Sequence, residues 1–166
     1  MKNIIIVTSI AVFMVGVLLW GKAGRTSPAE SAALATGSTA ATIADSIPPY
    51  DFGSVSMLKG SVEHEFAITN TTAVDLAVTK VETSCMCTRA VLQLPDGKEI
   101  GPFGMPGHGF APTLDAIIRP GENFIVRVIF DPAAHGPAGI GRIERAVTLG
   151  TSKGPITMQF SATVTP

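Results

Sequence analysis

The chain has no excess of charge of either sign. From Pro48 onward, nine basic and eleven acidic side chains give a net charge of −2, and these charges are dispersed along the sequence. Proteins that bind nucleic acid or an anionic membrane surface carry a clustered basic patch. The charge pattern therefore excludes both of these functions, and we expect no nucleic-acid partner.

Recognised catalytic motifs are also missing. The chain contains no G-x-S-x-G nucleophile elbow, no phosphate-binding P-loop and no H-E-x-x-H zinc motif. Its carboxylates are scattered over predicted strand faces and turns, where solvated side chains are typical. These absences predict that the protein is not an enzyme.

Cysteine is scarce, and its two positions are informative. Neither Cys85 nor Cys87 lies near the N-terminus, which excludes a lipoprotein anchor. The two residues form a Cys-Met-Cys step at the end of a strand-like segment. This step is the only part of the sequence that points to chemistry.

A long apolar run opens the chain. Residues 4–20 carry no charge and follow a short basic start, Met1-Lys2-Asn3. As a helix the run spans about 26 Å, close to the roughly 30 Å hydrocarbon core of a membrane and longer than a typical signal-peptide core. We therefore predict a signal anchor at residues 1–21, a single transmembrane helix that places the rest of the chain outside the cytoplasm. Cleavage after Ala23 or Ala35, which would give a secreted protein, remains the alternative.

The composition changes twice after the apolar run. Residues 22–47 are rich in Ala, Ser, Thr and Gly and contain no aromatic side chain, which predicts a flexible linker. Residues 48–166, about 120 in number, suffice for one domain. Within them apolar residues alternate with polar ones, as in half-buried strands, and turn signals separate the runs. The alternating positions are Val62, His64, Phe66 and Ile68; Leu76, Val78 and Lys80; Phe124, Val126, Val128 and Phe130; Val147 and Leu149; and Ile156, Met158, Phe160, Ala162 and Val164. The pattern predicts an all-β sandwich or barrel.

An ordered set of local signatures resembles a known family. The set comprises Tyr50-Asp51-Phe52-Gly53, Phe66 to Thr72, Ser84 to Thr88, Ile118 to Glu122 and a closing hairpin. It resembles the uncharacterised bacterial family called domain of unknown function fifteen seventy-three, over roughly Pro49 to Val164. The resemblance implies an exported, immunoglobulin-like β-sandwich, similar to the Hydin-type domains of ciliary and centrosomal proteins, and no established activity. Two departures are Met86, where the family has Gly between the cysteines, and the long connection Gln93–Ile117.

The cysteine pair has three interpretations. In an extended strand, residues two apart lie about 6.6 Å apart at Cα, near the upper limit for a disulfide, so a Cys85–Cys87 bond needs a bend or bulge. The two residues are packing residues of the core, ligands of a soft metal or a redox pair. For the metal, Met105 and His108 in the long connection and His135 after a strong strand add thioether and imidazole groups, which suit copper, or zinc with Cys and His. The candidate metal site is thus Cys85, Cys87, Met105, His108 and His135.

Three functions follow from these features. The first is a membrane-tethered interaction or scaffold module that binds another envelope protein, by analogy with small immunoglobulin-like domains. The alternatives are a copper- or zinc-binding protein and a thiol–disulfide protein.

The anchor hypothesis has a direct test. Because the apolar run is long enough to span the hydrocarbon core, the full chain should stay in the membrane fraction through high-salt and carbonate washes. Residues 48–166 should be accessible to protease added from outside. A mature N-terminus at Gly24 or Thr36, found by sequencing, would rule out the anchor.

Overall fold

The computed structural model describes residues 47–108 and 112–166 of the chain. This part contains nine strands and two short 3₁₀ turns, Met57–Lys59 and Gly136–Gly139. The strands are β1 (Tyr50–Ser56), β2 (Val62–Thr69), β3 (Leu76–Thr83), β4 (Thr88–Gln93), β5 (Glu99–Phe103), β6 (Ala116–Ile118), β7 (Asn123–Phe130), β8 (Gly141–Thr151) and β9 (Ile156–Thr165). The all-β prediction is therefore confirmed.

The strands form two sheets that bury one core between them. One sheet has five strands in the order β1-β9-β8-β3-β6, and the other has four in the order β2-β7-β4-β5. All neighbouring strands are antiparallel except β1 and β9. Strands of both sheets contribute to a single cluster of buried apolar side chains, so the domain is a two-sheet sandwich.

Alternation in the sequence locates the core correctly in most strands. In β7, Phe124, Val126, Val128 and Phe130 are at most 2% exposed, while the residues between them are half-buried. The same holds for Ile156 to Val164 in β9, where the five predicted positions are buried. Side chains on alternate positions of a strand point to one face, so the predicted set faces the opposite sheet.

Strand β3 departs from the predicted alternation. Leu76 and Val78 are buried as predicted, but Lys80 is exposed and Val81 is buried in its place. The pairing of β3 with β8 shifts register between Val78 and Lys80. A bulge adds one residue to one strand and so moves the following side chains to the other face, which keeps the Lys80 ammonium in solvent.

The predicted long connection Gln93–Ile117 is not one loop. Residues Glu99–Phe103 pair with β4 and form an edge of the four-stranded sheet, and Ala116–Ile118 pair with β3 at an edge of the other. Both strands are short and flanked by Pro and Gly, which obscures their alternation in the sequence. This segment therefore completes both sheets.

The predicted anchor at 1–21 and almost all of the predicted linker at 22–47 lie outside the described residues. Ile47, the last linker position, packs against the core of the sandwich. Among the described residues, no helix is long and apolar enough to cross a membrane.

The strand directions place the connections at two ends. The connections that follow β1, β3, β5 and β7 lie at one end, here called the cysteine end, and those that follow β2, β4, β6 and β8 lie at the opposite end. The cysteine end therefore gathers the segments after Ser56, Thr83, Phe103 and Phe130.

A buried amide organises the opposite end. Asn70 is fully buried, and its Nδ2 donates to the carbonyl oxygens of Val74 at 2.9 Å and Ile118 at 2.8 Å. Its Oδ1 accepts from the backbone N–H of Thr72 at 3.1 Å and from the Thr72 hydroxyl at 2.6 Å. One side chain thus ties the β2–β3 connection to the end of β6.

Removal of this amide should destabilise the domain. Asn70→Ala removes the donor to the buried Ile118 carbonyl, while the Thr72 hydroxyl still reaches the Val74 carbonyl. The free energy of unfolding should therefore fall by about 2 kcal/mol. Asn123→Ala is the matched control, because the exposed Asn123 side chain contacts only the Thr69 hydroxyl at the same end, and it should cost less than about 1 kcal/mol. Urea denaturation measures both, and equal losses would contradict the role given to Asn70.

A second polar side chain, the half-buried His64, contacts three aromatic rings. His64 on β2 stacks on Tyr50 of β1, with ring centroids 3.5 Å apart, and meets Phe52 and Phe66 edge-on. Burial lowers the pKa of His64 below 6.5, and the negative charge of Glu65 opposes this shift more weakly. The folded protein therefore favours the neutral imidazole.

The lowered pKa of His64 makes the stability of the domain fall as the pH falls. The unfolded chain takes up the His64 proton near pH 6.5, whereas the folded state resists protonation until lower pH. The contribution of neutral His64 to the free energy of unfolding is complete above about pH 6.5. It is lost as the pH falls through the lower, folded-state pKa. His64→Phe should flatten the fall in unfolding free energy between about pH 7 and pH 5, measured by urea denaturation. His108→Phe, in an exposed connection, is the matched control, and an equal flattening by both variants would contradict the role given to His64.

Candidate functional site

The two cysteines lie in a tight turn between the sheets. Ser84 to Cys87 link β3 of the five-stranded sheet to β4 of the four-stranded sheet. The Thr88 N–H donates to the Cys85 carbonyl at 3.1 Å, which closes the turn. The chain is therefore bent where an extended strand would keep the cysteines too far apart, and their Cα atoms lie 5.3 Å apart.

Backbone and hydroxyl hydrogen bonds hold this turn. The Thr83 hydroxyl lies 2.9 Å from the carbonyl oxygen of Cys85 and 3.2 Å from that of Thr88. The Asp131 N–H donates to the Cys87 carbonyl at 2.9 Å. Because these contacts come from β3, β4 and the segment after β7, the turn is fixed to both sheets.

The cysteine sulfurs are bonded to each other and buried. Cys85 and Cys87 form a disulfide, are 7% and 3% exposed, and belong to the core cluster. Met86 between them is 53% exposed. The turn thus directs the two sulfurs inward and the thioether outward.

His135 is brought to the cysteines by the segment after β7. Asp131 Oδ1 accepts from the Ala133 N–H at 2.9 Å, and the Gly136 N–H donates to the Ala133 carbonyl at 2.9 Å, so the chain curls back. His135 Nε2 then lies 3.1 Å from Cys85 Sγ. A Cβ added at Gly139 would lie 3.1 Å from the His135 Cβ, so the absence of a side chain there helps the histidine fit.

Three of the five predicted site residues converge. Ligand atoms of Cys85, Cys87 and His135 all lie within 4.8 Å of one another, near enough to hold a metal ion. Two thiolates and an imidazole suit zinc or copper. The disulfide, however, leaves neither sulfur as a thiolate, so these ligands require the reduced pair.

Met105 and His108 lie at the same end but line a different hollow. Their segment is joined to β3 by a hydrogen bond from the Thr83 N–H to the Gly104 carbonyl at 3.2 Å. The two side chains border a hollow of about 320 Å³ beside residues 79–82, and the cysteines are not among its lining residues. His108 is not a member of the close group formed by Cys85, Cys87 and His135.

Sequence reasoning missed two parts of the site. Thr83 was not singled out, although it precedes the turn and binds both of its ends. Arg89 was also missed, and it lines a hollow of about 120 Å³ with Ser61, Met86, Cys87, Ile129 and Asp131. Thr83 lies two residues before Cys85, and Arg89 lies two residues after Cys87. This nearness along the chain is the only sign of their role in the sequence.

Comparison with known families supports the resemblance noted from the sequence. The profile of the family described as "Protein of unknown function (DUF1573)" matches residues 46–96. This segment includes β1 to β4 and the cysteine turn, and the match confirms the predicted family resemblance there. The match does not test the Hydin-type similarity, which remains a prediction.

Solved structures give weaker likenesses. A protein of unknown function from Porphyromonas gingivalis W83 is 17% identical, with a TM-score of 0.49, over 69% of this chain and 43% of that protein. The CooA pilin subunit from enterotoxigenic Escherichia coli is 12% identical, with a TM-score of 0.36, over 72% of this chain and 92% of that one. The periplasmic chaperone SfaE is 10% identical, with a TM-score of 0.34, over 71% and 55%. The chain spans less than half of the Porphyromonas protein, and no likeness at this level carries an argument about function. No curated protein matches the chain.

Proposed function

We propose that the protein is a membrane-tethered, extracytoplasmic immunoglobulin-like module that binds another envelope protein through its cysteine end. The apolar run at residues 4–20 and the linker after it support the tether and the location. The absence of catalytic motifs supports a binding function over an enzymatic one. The proposal rests chiefly on where apolar side chains are exposed.

Exposed apolar residues collect at the cysteine end. Leu58 is 90% exposed, Met86 53% and Ile140 47%, and each lies in a different connection at this end. Of the large hydrophobic side chains exposed in the described residues, only Val74 and Ile117 lie elsewhere. Exposed apolar side chains that gather at one end of a domain favour a protein-binding site there.

The outer sheet surfaces are less suited to this function. On the four-stranded sheet, Arg127 lies 3.1 Å from Glu99 and 3.9 Å from Glu63. On the five-stranded sheet, Arg142 lies 3.8 Å from both Asp51 and Glu144. These charges are compensated within the domain, so they offer a partner little binding energy.

Site-specific crosslinking in native membranes tests the proposal. A photoreactive residue in place of Met86 or Ile140 in the full chain should capture one and the same envelope protein. The matched control is a photoreactive residue in place of Val74, which is as exposed as Ile140 but lies at the opposite end. Leu58→Asp should abolish capture, because it places a charge within the apolar surface.

Two results would contradict this function. Equal capture from Val74 and from the cysteine end would show no preferred surface. Capture of a second copy of this chain alone would replace the envelope partner with self-association.

Soft-metal binding is a second candidate, favoured by the close group of Cys85, Cys87 and His135. The reduced protein should bind about one equivalent of cuprous copper or zinc, which protects both thiols from alkylation. Replacement of both cysteines by Ser should abolish binding, and His135→Ala should weaken it. His108→Ala, in the separate hollow, should leave the affinity unchanged. Unprotected thiols in the presence of either metal would rule out the candidate.

A further inference from the structure

The two sulfurs of the disulfide have different surroundings. The Sγ of Cys85 has two hydrogen-bond partners, the His135 Nε2 at 3.1 Å and the backbone N–H of Cys87 at 3.3 Å. The Sγ of Cys87 has only the Thr88 hydroxyl, at 3.7 Å. A developing negative charge is therefore stabilised much better on Cys85 than on Cys87.

Cys87 is no more exposed than Cys85, at 3% against 7%, and what distinguishes it is the hollow that it borders. It lines the small hollow on the outer side of the four-stranded sheet, whereas neither Cys85 nor His135 does. Arg89 and Asp131 also border this hollow and are exposed, so it presents a cation and an anion to an incoming group.

Together these contacts distinguish the sulfur that is attacked from the sulfur that leaves. We propose that Cys85–Cys87 is a redox-active pair in which Cys87 is attacked by an external thiol and Cys85 is the leaving sulfur, stabilised by His135. The proposal goes beyond the binding function and does not depend on a docked partner. The co-reactant is a thiol, either a small one or a cysteine of another protein.

The exchange proceeds in two balanced steps. The external thiolate attacks the Cys87 sulfur, a new sulfur–sulfur bond forms, and the electron pair of the Cys85–Cys87 bond moves to the Cys85 sulfur. A second thiolate then attacks the external sulfur of the mixed disulfide and releases the Cys87 thiolate. Two external thiols are thereby oxidised to a disulfide, and Cys85 and Cys87 are reduced to thiols.

A purely structural role explains the arrangement less well. A disulfide between residues two apart closes a very small ring, which restricts the unfolded chain little and so adds little stability. The turn is already closed by Thr83, Thr88 and Asp131 through their own hydrogen bonds. Stability also gives no reason for an exposed histidine beside Cys85, whereas exchange chemistry does.

The direction of attack is measurable on the purified oxidised protein. After brief exposure to reduced glutathione and an acid quench, fragmentation of the peptide between the two cysteines locates the mixed disulfide. Glutathione should be found on Cys87 at least several times more often than on Cys85. Predominant attachment to Cys85 would overturn the proposal, as would a disulfide that glutathione reduces only after denaturation.

Variants test the contribution of His135. His135→Ala should slow reduction by glutathione about tenfold, because a hydrogen bond to the leaving thiolate is lost. His135→Gln retains an N–H donor and should recover part of the rate. His108→Ala is the control at the same end and should match the parent protein. Equal rates for His135→Ala and His108→Ala, with unchanged thermal unfolding, would remove His135 from the mechanism.

The outcome is separable from that of the binding function. Exchange is measured on the purified protein without a partner, and photocrosslinking is measured on oxidised protein in membranes. A failure of either experiment therefore leaves the other proposal standing.

Discussion

The structure depends on burying one apolar face from each of two sheets against the other. Every described strand contributes a buried side chain to this core, and the fully buried ones include Val126 and Val128 at its centre. A chain that must cross between sheets without entering the core can do so only at the two ends. The connections are therefore collected at the two ends, and the two ends differ in how they are closed.

At the opposite end, hydrogen bonds of Asn70 hold the connections together. At the cysteine end, the buried disulfide extends the apolar core. With one amide, Asn70 binds the Val74 carbonyl in the β2–β3 connection and the Ile118 carbonyl at the end of β6. At the cysteine end, Cys85 and Cys87 continue the apolar core into the turn, and Thr83 satisfies the carbonyl groups around them. The second arrangement also places sulfur atoms next to an exposed imidazole.

The sequence predicts the fold where alternation is uninterrupted and fails where backbone irregularity intervenes. Strands β7 and β9 were predicted because each buried residue recurs at a spacing of two over the whole strand. The bulge after Val78 reversed the expected faces of Lys80 and Val81, and no residue type marks it. Strands β5 and β6 are too short for alternation to be recognised among their neighbouring Gly and Pro residues.

The site was only partly predictable, for a related reason. The need for a bend at Cys85–Cys87 follows from the geometry of an extended chain, and the structure has a turn there. The nearness of His135 depends on how the segment after β7 curls back, which involves contacts between residues about fifty positions apart. His108 was as plausible as His135 from composition alone. Only the path of each connection distinguishes the two histidines.

The hydrogen bonds of the turn bear on how its two proposed uses coexist. The contacts of Thr83 and Asp131 with the turn, and that of the Thr88 N–H, involve main-chain and hydroxyl groups. The Thr88 hydroxyl also lies 3.7 Å from the Cys87 sulfur. Because reduction of the disulfide removes none of these main-chain hydrogen bonds, we expect the turn to persist and the two thiols to stay beside His135. The same support keeps Met86 at the surface in both redox states. A partner that contacts Met86 would thus bind the same backbone conformation in both redox states. The buried cysteines beneath Met86 would be either a disulfide or a pair of thiols able to bind a soft metal.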